Sequence, residues 1–433
     1  MPSAAASALN LRATTLARAV LKHRFRKRKC RSRAVFAMTD IFACKNVSFP
    51  YTAANTLNFC PLDPAEVPVK PSMSRRSVLR ALGGAGLAAG VLPLATPAIS
   101  QGLTKVSFTT SWIPEGPNLF AYVARDRGFW KKLGLDVSVA RGSGSGAAAQ
   151  AVGAGTFDFG MAATPTVIVQ AAKKLPITCI GQINYDALMG IGVLAGSPIK
   201  APKDLEGKKL GASVSSGEYP FLPLYAEKAG FDLSKVQVVQ VDGKVRERSL
   251  VEKQVDAVSA FATSTVPSLV SIGTDVRFLL FSAVGIQFYG QSLITQPKRV
   301  ADDPALCAAV VEGAMEAIKF VMTNFDEAVD IFLKANSEVA ISSSGKAYTQ
   351  IGLGLTNITN LVPEVKQQGF GFADPAKVKT MADLVVKYAA GDNATNPDLD
   401  ALFTNRFVGK LKLSAEELAA AEKSAQPYRR YLV

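Results

Sequence analysis

The sequence predicts an α/β protein made of two doubly wound lobes that are joined by two crossover segments. From residue 102 onward, short β-branched runs alternate with helical stretches, which is typical of parallel α/β sheets. This alternation is interrupted by an apolar run over residues 187–194 and resumes after it. A second apolar run follows at residues 289–295. The remaining sequence is mainly amphipathic helix. The length of residues 101–433 suits two domains.

The first lobe is predicted to contain four strands and three helices. The strands are expected at residues 105–110, 136–140, 157–161 and 178–182, and the helices at residues 118–127, 146–154 and 164–173. Asn118 is a suitable N-cap for the first helix, and Gly128 is placed to end it.

The second lobe is predicted to repeat the alternation. Its strands are expected at residues 209–214, 236–240 and 257–261, and its helices near residues 221–229, 245–253 and 266–271. Later helices are predicted at residues 304–322 and 375–389, the second with Asp374 as N-cap and Pro375 at its first position.

The predicted organisation follows from the two apolar runs. Residues 101–188 are expected to form the first part of lobe 1, and residues 189–285 to form lobe 2. Residues 286–433 would then hold the return crossover and C-terminal helices that pack mostly on lobe 1. Such a fold closes about a hinge on a ligand, which is contacted by loops at the carboxyl ends of the strands.

Residues 73–100 have the pattern of a twin-arginine signal peptide. Arg75 and Arg76 precede a stretch, residues 81–100, that carries no charged side chain and ends in Ala-Ile-Ser. Four glycines and two prolines in this stretch argue against a membrane helix. We therefore expect export by the twin-arginine machinery, cleavage near Ser100, and a soluble periplasmic protein without a lipid anchor.

The positive charge of the chain belongs to its N-terminal part. The formal net charge is +14, but residues 1–100 hold 15 of the 49 basic residues and 3 of the 35 acidic ones. Residues 101–433 are therefore nearly neutral, which argues against nucleic acid as a partner. Residues 1–72 are expected to be a disordered extension or, because Met73 directly precedes the signal, a mis-called start.

Histidine and cysteine usage excludes several kinds of site. The only histidine is His23, so residues 101–433 cannot carry Ser-His-Asp or Cys-His catalysis or a histidine-ligated metal. Cys179 and Cys307 each lie in an apolar run and are expected to be buried thiols. The sequence also allows a single disulfide between them. No cofactor or metal is expected.

Candidate ligand-binding residues lie on loops and crossovers that follow the predicted strands, where aromatic faces, carboxylates and glycine-rich backbone occur together. The predicted ligand-binding residues are Trp112, Glu115, Asn118, Gly144, Ser145, Thr164, Tyr185, Asp186, Ser216, Glu218, Tyr219 and Phe261. Several have a structural alternative: a core-filling tryptophan, a helix-capping asparagine or glutamate, a glycine turn, or a tyrosine that packs at the hinge. Arg246 and Arg248 are assigned to a surface helix, because Glu247 and Glu252 lie beside them in sequence.

Several segments in order carry a family resemblance. They are residues 112–129, ending in AYVARDRGF, residues 134–137, GLDV, residues 152–160, VGAGTFDFG, and residues 197–208, SPIKAPKDLEGK. Together they resemble the type 2 periplasmic solute-binding proteins of the nitrate, sulfonate, taurine and thiamine-pyrimidine group, which includes NMT-like and SsuA-like proteins. The resemblance implies a monomer that captures a small solute and delivers it to an ABC permease and ATPase. It also places a ligand loop at residues 215–221.

The candidate residues are mainly aromatic and acidic. This favours a pyrimidine-like or other aromatic nitrogenous solute, with Glu218 accepting a hydrogen bond from its amino group, because a carboxylate repels a sulfonate or nitrate. The alternative solute is an organosulfonate, taurine or nitrate-like anion held by the glycine-rich loop at residues 142–146.

Two alternatives concern the class of protein. A thiamine-pyrimidine synthase-like enzyme is disfavoured, because the resemblance implies a histidine and a cysteine-rich motif that residues 101–433 lack. The sequence also allows a sensor domain that passes its ligand to a receptor.

Overall fold

The computed structural model describes residues 102–391 and 394–432. The predicted N-terminal extension and signal peptide lie outside the described residues. The two predicted lobes are each built on a five-stranded sheet.

The first sheet has the strand order β2-β1-β3-β10-β4. Its strands are β1 Thr104–Thr109, β2 Leu135–Ala140, β3 Phe159–Ala163, β4 Thr178–Gln182 and β10 Gln291–Thr295. The first strand pairs in parallel with its two neighbours, whereas β10 runs antiparallel between β3 and β4. The chain therefore returns to the first lobe after building the second.

The second sheet has the order β7-β6-β8-β5-β9. Its strands are β5 Met189–Leu194, β6 Lys209–Ala212, β7 Gln237–Gln240, β8 Ala257–Phe261 and β9 Val276–Leu280. Strand β6 is parallel to its neighbours β7 and β8, and β5 is antiparallel to β8 and β9.

Helices cover both sheets. Those before the return crossover are α1 Leu119–Asp126, α2 Phe129–Lys132, α3 Ser145–Gly153, α4 Thr164–Ala172, α5 Leu222–Ala229, α6 Arg246–Val251 and α7 Ala262–Val270. Those after it are α8 Pro297–Asp302, α9 Pro304–Thr323, α10 Phe325–Ala335, α11 Ser337–Ala340, α12 Gly345–Ile358, α13 Pro363–Gln368, α14 Pro375–Ala389, α15 Leu399–Leu402 and α16 Ala415–Ala425. Short 3₁₀ helices cover Gly116–Asn118, Pro202–Leu205, Tyr219–Phe221, Leu233–Lys235, Ser282–Val284 and Gln426–Leu432.

The structure corrects several element predictions. The third strand starts at Phe159 instead of residue 157, because the carboxylate of Asp158 accepts hydrogen bonds from the backbone N–H and hydroxyl of Ser107 and ends the preceding bend. Helix α7 starts at Ala262, directly after β8, and continues through Pro267, a residue that usually interrupts a helix. Strand β9, at the edge of the second sheet, was not predicted, and the apolar runs expected as crossover segments contain strands β5 and β10 of the two sheets.

Two other local predictions are confirmed. Asp374 caps α14 by accepting a hydrogen bond from the N–H of Ala376 at 2.9 Å. Cys179 and Cys307 are buried free thiols, and burial raises the pKa of each above its ordinary value. Among the described residues, no helix combines the length and the apolar character needed to cross a bilayer.

The two crossovers contact each other closely. The N–H of Gln291 donates to Oδ1 of Asn184 at 2.7 Å, and the N–H of Gly290 donates to the carbonyl of Asn184 at 3.0 Å. A Cβ atom at Gly290 would overlap the Asn184 side chain, so this approach requires glycine. We call residues 182–188 and 286–292 the hinge.

The C-terminal helix α12 contacts both lobes. It packs against α7 of the second lobe and against the 3₁₀ helix Gly116–Asn118 of the first. The loop after β1, which carries several predicted site residues, is thereby buried beneath α12.

Candidate ligand-binding cleft

A cleft lies between the loops at the carboxyl ends of strands from both sheets and has a cavity volume of about 50 Å³. From the first lobe and the return crossover it is lined by Ser111, Trp112, Glu115, Gly144, Ser145 and Gln291. From the second lobe it is lined by Ser213, Ser215, Ser216, Gly217, Gly243, Arg246, Phe261, Thr263 and Ser264. We call this space the interlobe cleft. Its position is the one expected for a ligand site in α/β sheets.

Aromatic side chains line the cleft from both lobes. Trp112 is half-buried, and its six-membered ring lies across the cleft: a Cβ atom at Gly243 of the second lobe would be 3.4 Å from its Cη2. Phe261 lies at the end of β8 and packs near Gly217. The cleft therefore offers aromatic surface to a flat ligand.

The glycine-rich loop packs against the loop of Trp112. The N–H of Gly142 donates to the carbonyl of Trp112 at 3.2 Å, and the N–H of Gly144 donates to the carbonyl of Ser111 at 2.9 Å. Gly144 has a φ of +136°, a backbone conformation that favours glycine. Ser145 uses its hydroxyl to accept from the N–H of Ala163 at 3.0 Å. The N–H groups of Gly142 and Gly144 therefore already donate hydrogen bonds within the protein and do not bind a ligand.

Glu115 is a buried carboxyl that reaches the cleft. It is 4% exposed, and its Oε2 accepts a hydrogen bond from the Ser264 hydroxyl of the opposite lobe at 2.8 Å. Burial raises the pKa of Glu115 to about 8, although the hydrogen bond from Ser264 and the charge of Arg246 act in the opposite direction. Glu115 therefore links the lobes and is largely protonated at neutral pH.

Arg246 corrects a sequence prediction. It is 5% exposed and lines the cleft, whereas the sequence assigned it to a surface helix. Its Nη2 donates to Glu247 at 2.7 Å and to the Thr265 hydroxyl at 3.2 Å, and its Nη1 lies 4.0 Å from Oε1 of Glu218. Arg248, on the same helix, is exposed and pairs with Glu252 as predicted.

A sequence signal for Arg246 did exist. The residue starts α6, and a positive charge at a helix N-terminus is disfavoured by the helix dipole. Such an arginine needs acidic partners from elsewhere in the fold. Here Glu218 and Glu115, both distant in sequence, supply part of that charge.

Glu218 lies directly behind the lining residues Ser216 and Gly217. It is fully buried, and its Oε2 accepts a hydrogen bond from the Ser216 hydroxyl. Its Oε1 has no hydrogen-bond partner among the described residues. Burial raises the pKa of Glu218, and the nearby Arg246 opposes that shift.

Of the predicted site residues, Trp112, Glu115, Gly144, Ser145, Ser216 and Phe261 line the cleft. Two of the others position loops. Asn118 receives a hydrogen bond from the Ser111 hydroxyl at 3.2 Å and donates to the carbonyl of Ile113 at 2.7 Å, so its side chain holds the loop instead of capping the helix. The Tyr219 hydroxyl accepts from Gln240 at 3.1 Å, away from the cleft lining.

The remaining three lie in or beside the hinge. Thr164 shares a 2.8 Å hydrogen bond with the Ser292 hydroxyl. Asp186 accepts from the N–H of Leu188 at 2.8 Å. Tyr185 packs edge-on against Tyr289 from the other crossover, with ring centroids 5.7 Å apart.

Gln291 was not predicted from the sequence. It starts β10, lines the cleft, and has a buried Oε1 without a hydrogen-bond partner among the described residues. Its backbone is fixed by Asn184 and by the Gln182 side chain, which donates to its carbonyl at 2.8 Å. A strand-initial glutamine after an apolar run gives no sequence signal for this role.

Comparisons with known proteins agree with this architecture. Residues 118–328 match the family model described as NMT1/THI5 like. The formylaminopyrimidine-binding protein of Halalkalibacterium halodurans is 25% identical over 245 residues, which cover 56% of this chain and 74% of that protein. The 4-amino-5-hydroxymethyl-2-methylpyrimidine phosphate synthase of Schizosaccharomyces pombe is 26% identical over 107 residues, 25% of this chain and 31% of the synthase.

The fold is also shared with a solved structure. The alkanesulfonate-binding protein SsuA of Xanthomonas axonopodis, bound to MOPS, superposes with a TM-score of 0.55 over 70% of this chain and 99% of that protein, at 13% sequence identity. Likeness at this identity concerns the fold alone. The family match at residues 118–328 confirms the resemblance seen in the sequence: the chain is similar to NMT1/THI5-like proteins and shares the two-lobed fold of a periplasmic solute-binding protein.

Proposed function

We propose that this protein captures a pyrimidine-like or other aromatic nitrogenous solute by closure of its two lobes and delivers it to an ABC permease and ATPase. It would act as a monomer in the periplasm after twin-arginine export. The observation that carries the proposal is the composition of the interlobe cleft. It has aromatic side chains from both lobes next to three carboxyl groups and a single arginine.

The charges around Arg246 favour a neutral or amine-bearing ligand over an anion. Glu247 pairs with Arg246 at 2.7 Å, and Glu218 lies 4.0 Å away. Glu115 is close enough for its charge to affect the same guanidinium. A sulfonate in the cleft would therefore meet carboxyl groups and an arginine whose charge is already matched.

The carboxyl that reaches the cleft is Glu115. It lines the cleft and has a free oxygen, whereas Glu218, which the sequence predicted as the acceptor, lies behind the lining. A ligand amino group is therefore proposed to donate to Glu115. The formylaminopyrimidine-binding relative supports a ligand of this class, and a binding function is supported by its match over most of its length. The synthase matches over a quarter of this chain.

One observation favours a second candidate. Arg246 is buried in the cleft, and its Nη1 makes no hydrogen bond to a described residue. An organosulfonate, taurine or nitrate-like anion would use this donor, as buried arginines commonly do with oxyanions.

The first test identifies the bound solute. The full chain is expressed with its own leader, recovered from the periplasm and denatured, and any released molecule is identified by mass spectrometry. Thermal shifts with 4-amino-2-methylpyrimidine, taurine and nitrate follow; a ligand at a hundredfold excess over its Kd stabilises by about 2.7 kcal/mol. We expect an aminopyrimidine to be released or to stabilise the protein. Stabilisation by taurine or nitrate alone would establish the second candidate instead.

A matched pair of variants separates the two buried acids. Glu115→Gln is expected to weaken binding of 4-amino-2-methylpyrimidine by about 0.5–1.5 kcal/mol, because the amide has a single acceptor oxygen and Ser264 already donates to this side chain. Glu218→Gln is expected to have a smaller effect. The reverse order, measured by calorimetry, would return the acceptor role to Glu218.

A further inference from the structure

The interlobe cleft contains polar atoms that no described residue uses. Glu115 accepts the Ser264 hydroxyl through Oε2, while its Oε1 receives no hydrogen bond. Arg246 donates through Nε and Nη2, while its Nη1 donates to no described residue. Gln291 has a buried Oε1 without a donor. Buried polar groups are nearly always paired, so Oε1 of Gln291 requires a partner that the described residues do not supply.

Neighbouring residues hold the side chains of Glu115 and Arg246 and the backbone of Gln291, and they leave the unused atoms free. Glu247 and Thr265 fix the guanidinium of Arg246. The hinge fixes the backbone of Gln291, since its N–H and its carbonyl are both bonded to side chains of the first crossover. Fixing a binding group before the ligand arrives lowers the entropy cost of binding.

The chemistry of the unused atoms defines a ligand. From the return crossover, Gln291 offers an oxygen atom, which calls for an N–H donor on the ligand; from the first lobe, Oε1 of Glu115 accepts a hydrogen bond when the carboxyl is ionised. From the second lobe, Arg246 offers an N–H donor, which calls for an acceptor. Because Glu247 and Glu218 already match the charge of Arg246, that acceptor is an uncharged atom such as a ring nitrogen or a carbonyl.

We propose that Arg246 and Gln291 determine the specificity of the cleft. Arg246 donates from Nη1 to an uncharged acceptor of the solute, and Gln291 accepts from one of its N–H groups. The solute is then a neutral heteroaromatic molecule with an amino group and a separate acceptor, bound by both lobes at once. This inference rests on the proposed function and adds to it the residues that select the ligand.

The test compares two probes on each variant, 4-amino-2-methylpyrimidine and 2-methylpyrimidine, which lacks the amino group. Binding to the full chain is measured by isothermal titration calorimetry, with taurine as a third probe. The ratio of the two pyrimidine affinities on one variant does not depend on how much that variant is destabilised. The wild type is expected to prefer the amino compound at least about tenfold, as for a lost hydrogen bond to a fixed group.

Variants at Gln291 test the direction of its hydrogen bond. Gln291→Leu removes both amide atoms and should lose most of the preference for the amino compound. Gln291→Glu keeps only acceptors and should retain it. If Gln291→Glu behaves like Gln291→Leu, the amide donates to the ligand and the assigned role is wrong. Gln237→Leu, at an exposed position on β7, is the matched control and should change nothing.

Variants at Arg246 test the donor. Arg246→Gln should weaken both pyrimidines about tenfold to a hundredfold, and Arg246→Lys should restore part of the loss. Arg248→Gln, two residues along the same helix and exposed, should bind as the wild type does. If the wild type prefers the amino compound and the Arg246 and Gln291 variants keep both this preference and the wild-type affinity, the inference is wrong. The proposed function would still stand in that case. A wild type that binds taurine and neither pyrimidine would overturn the proposed function and the inference with it.

Discussion

The hinge and the interlobe cleft are both polar and buried, but they differ in how completely their hydrogen bonds are made. In the hinge, Gln182 donates to the hydroxyl of Thr164 and to two carbonyls, and accepts from the Ser292 hydroxyl. The side chain of Asn184 is bonded at both ends. Two atoms of the hinge are exceptions: the hydroxyl of Tyr185 and Oε1 of Gln291, a residue that also lines the cleft, have no partner among the described residues.

In the cleft, by contrast, Glu115 and Arg246 each make some side-chain hydrogen bonds and leave one atom unused, and Gln291 is bonded only through its backbone. A fully bonded buried network gives rigidity, whereas a partly bonded one at a cavity is costly unless a ligand completes it. Between these two regions, the completeness of hydrogen bonding therefore distinguishes the structural residues Gln182 and Asn184 from the residues that line the cleft. The following predictions test this contrast.

The largest expected effect is the pH dependence that Glu115 brings to stability. The pKa of Glu115 is raised from 4.5 to about 8 in the folded protein, so between these values the folded state binds more protons than the unfolded state. The stabilisation is fully present below about pH 4.5 and is lost as the pH rises to about 8, by up to about 1.4 kcal/mol per pH unit.

This is measured by urea unfolding at several pH values between those limits. Glu115→Gln should remove the contribution of this carboxyl to the dependence of the free energy of unfolding on pH. Glu252→Gln, on the surface, should show the same pH dependence as the wild type. If the wild type and Glu115→Gln have parallel pH profiles, the carboxyl is not buried as described.

The next largest effect concerns the hinge. Gly290→Ala places a Cβ atom within 2.6 Å of Cγ of Asn184 and should displace the side chain that bonds Gln291. We expect the free energy of unfolding to fall by about 2–3 kcal/mol, from overpacking and a lost buried hydrogen bond. Gly196→Ala, where a Cβ atom meets no other atom within 4 Å, is the control for denaturant unfolding. Equal stability of the two variants would show that the crossovers do not depend on this contact.

The sequence predicted the parts of the cleft that depend on chain order. Trp112, Glu115 and Gly144 follow strands of the first sheet, and parallel strands bring their carboxyl ends to one edge. The alternation of strands and helices was therefore enough to place them together. The same reasoning also selected Thr164 and Asp186, because strand ends next to a hinge carry polar residues for structural reasons.

The parts that the sequence did not predict depend on contacts between distant segments. Arg246 lies on a helix of six residues, too short for a clear hydrophobic period, and its burial depends on acidic residues elsewhere. Gln291 reaches the cleft because β10 inserts antiparallel between β3 and β4, and its backbone is held by Asn184, 107 positions earlier. Neither of these contacts can be recognised from the local sequence around Arg246 or Gln291.

A smaller effect separates the two tryptophans. Trp112 lines the cleft and is half-buried, whereas Trp130 is 1% exposed and donates to the carbonyl of Val310 at 2.9 Å. Trp112→Ala should weaken binding of 4-amino-2-methylpyrimidine by about 1–2 kcal/mol, with little loss of stability. Trp130→Phe should lower stability and leave binding unchanged. Calorimetry and urea unfolding on both variants would contradict the assignment if the two effects were exchanged.

The smallest effect is at the hydrogen bond between the lobes. Ser264→Ala removes the donor to Oε2 of Glu115 and should cost about 1 kcal/mol of stability, a typical value for one hydrogen bond. The loss also removes a contact that favours approach of the two lobes, so Trp112 fluorescence in a Trp130→Phe background should shift toward that of a solvent-exposed indole. Ser268→Ala, on the same helix but bonded to the carbonyl of Ser264, is the control. If only the stability changes and the fluorescence does not, the hydrogen bond stabilises the fold without holding the cleft closed.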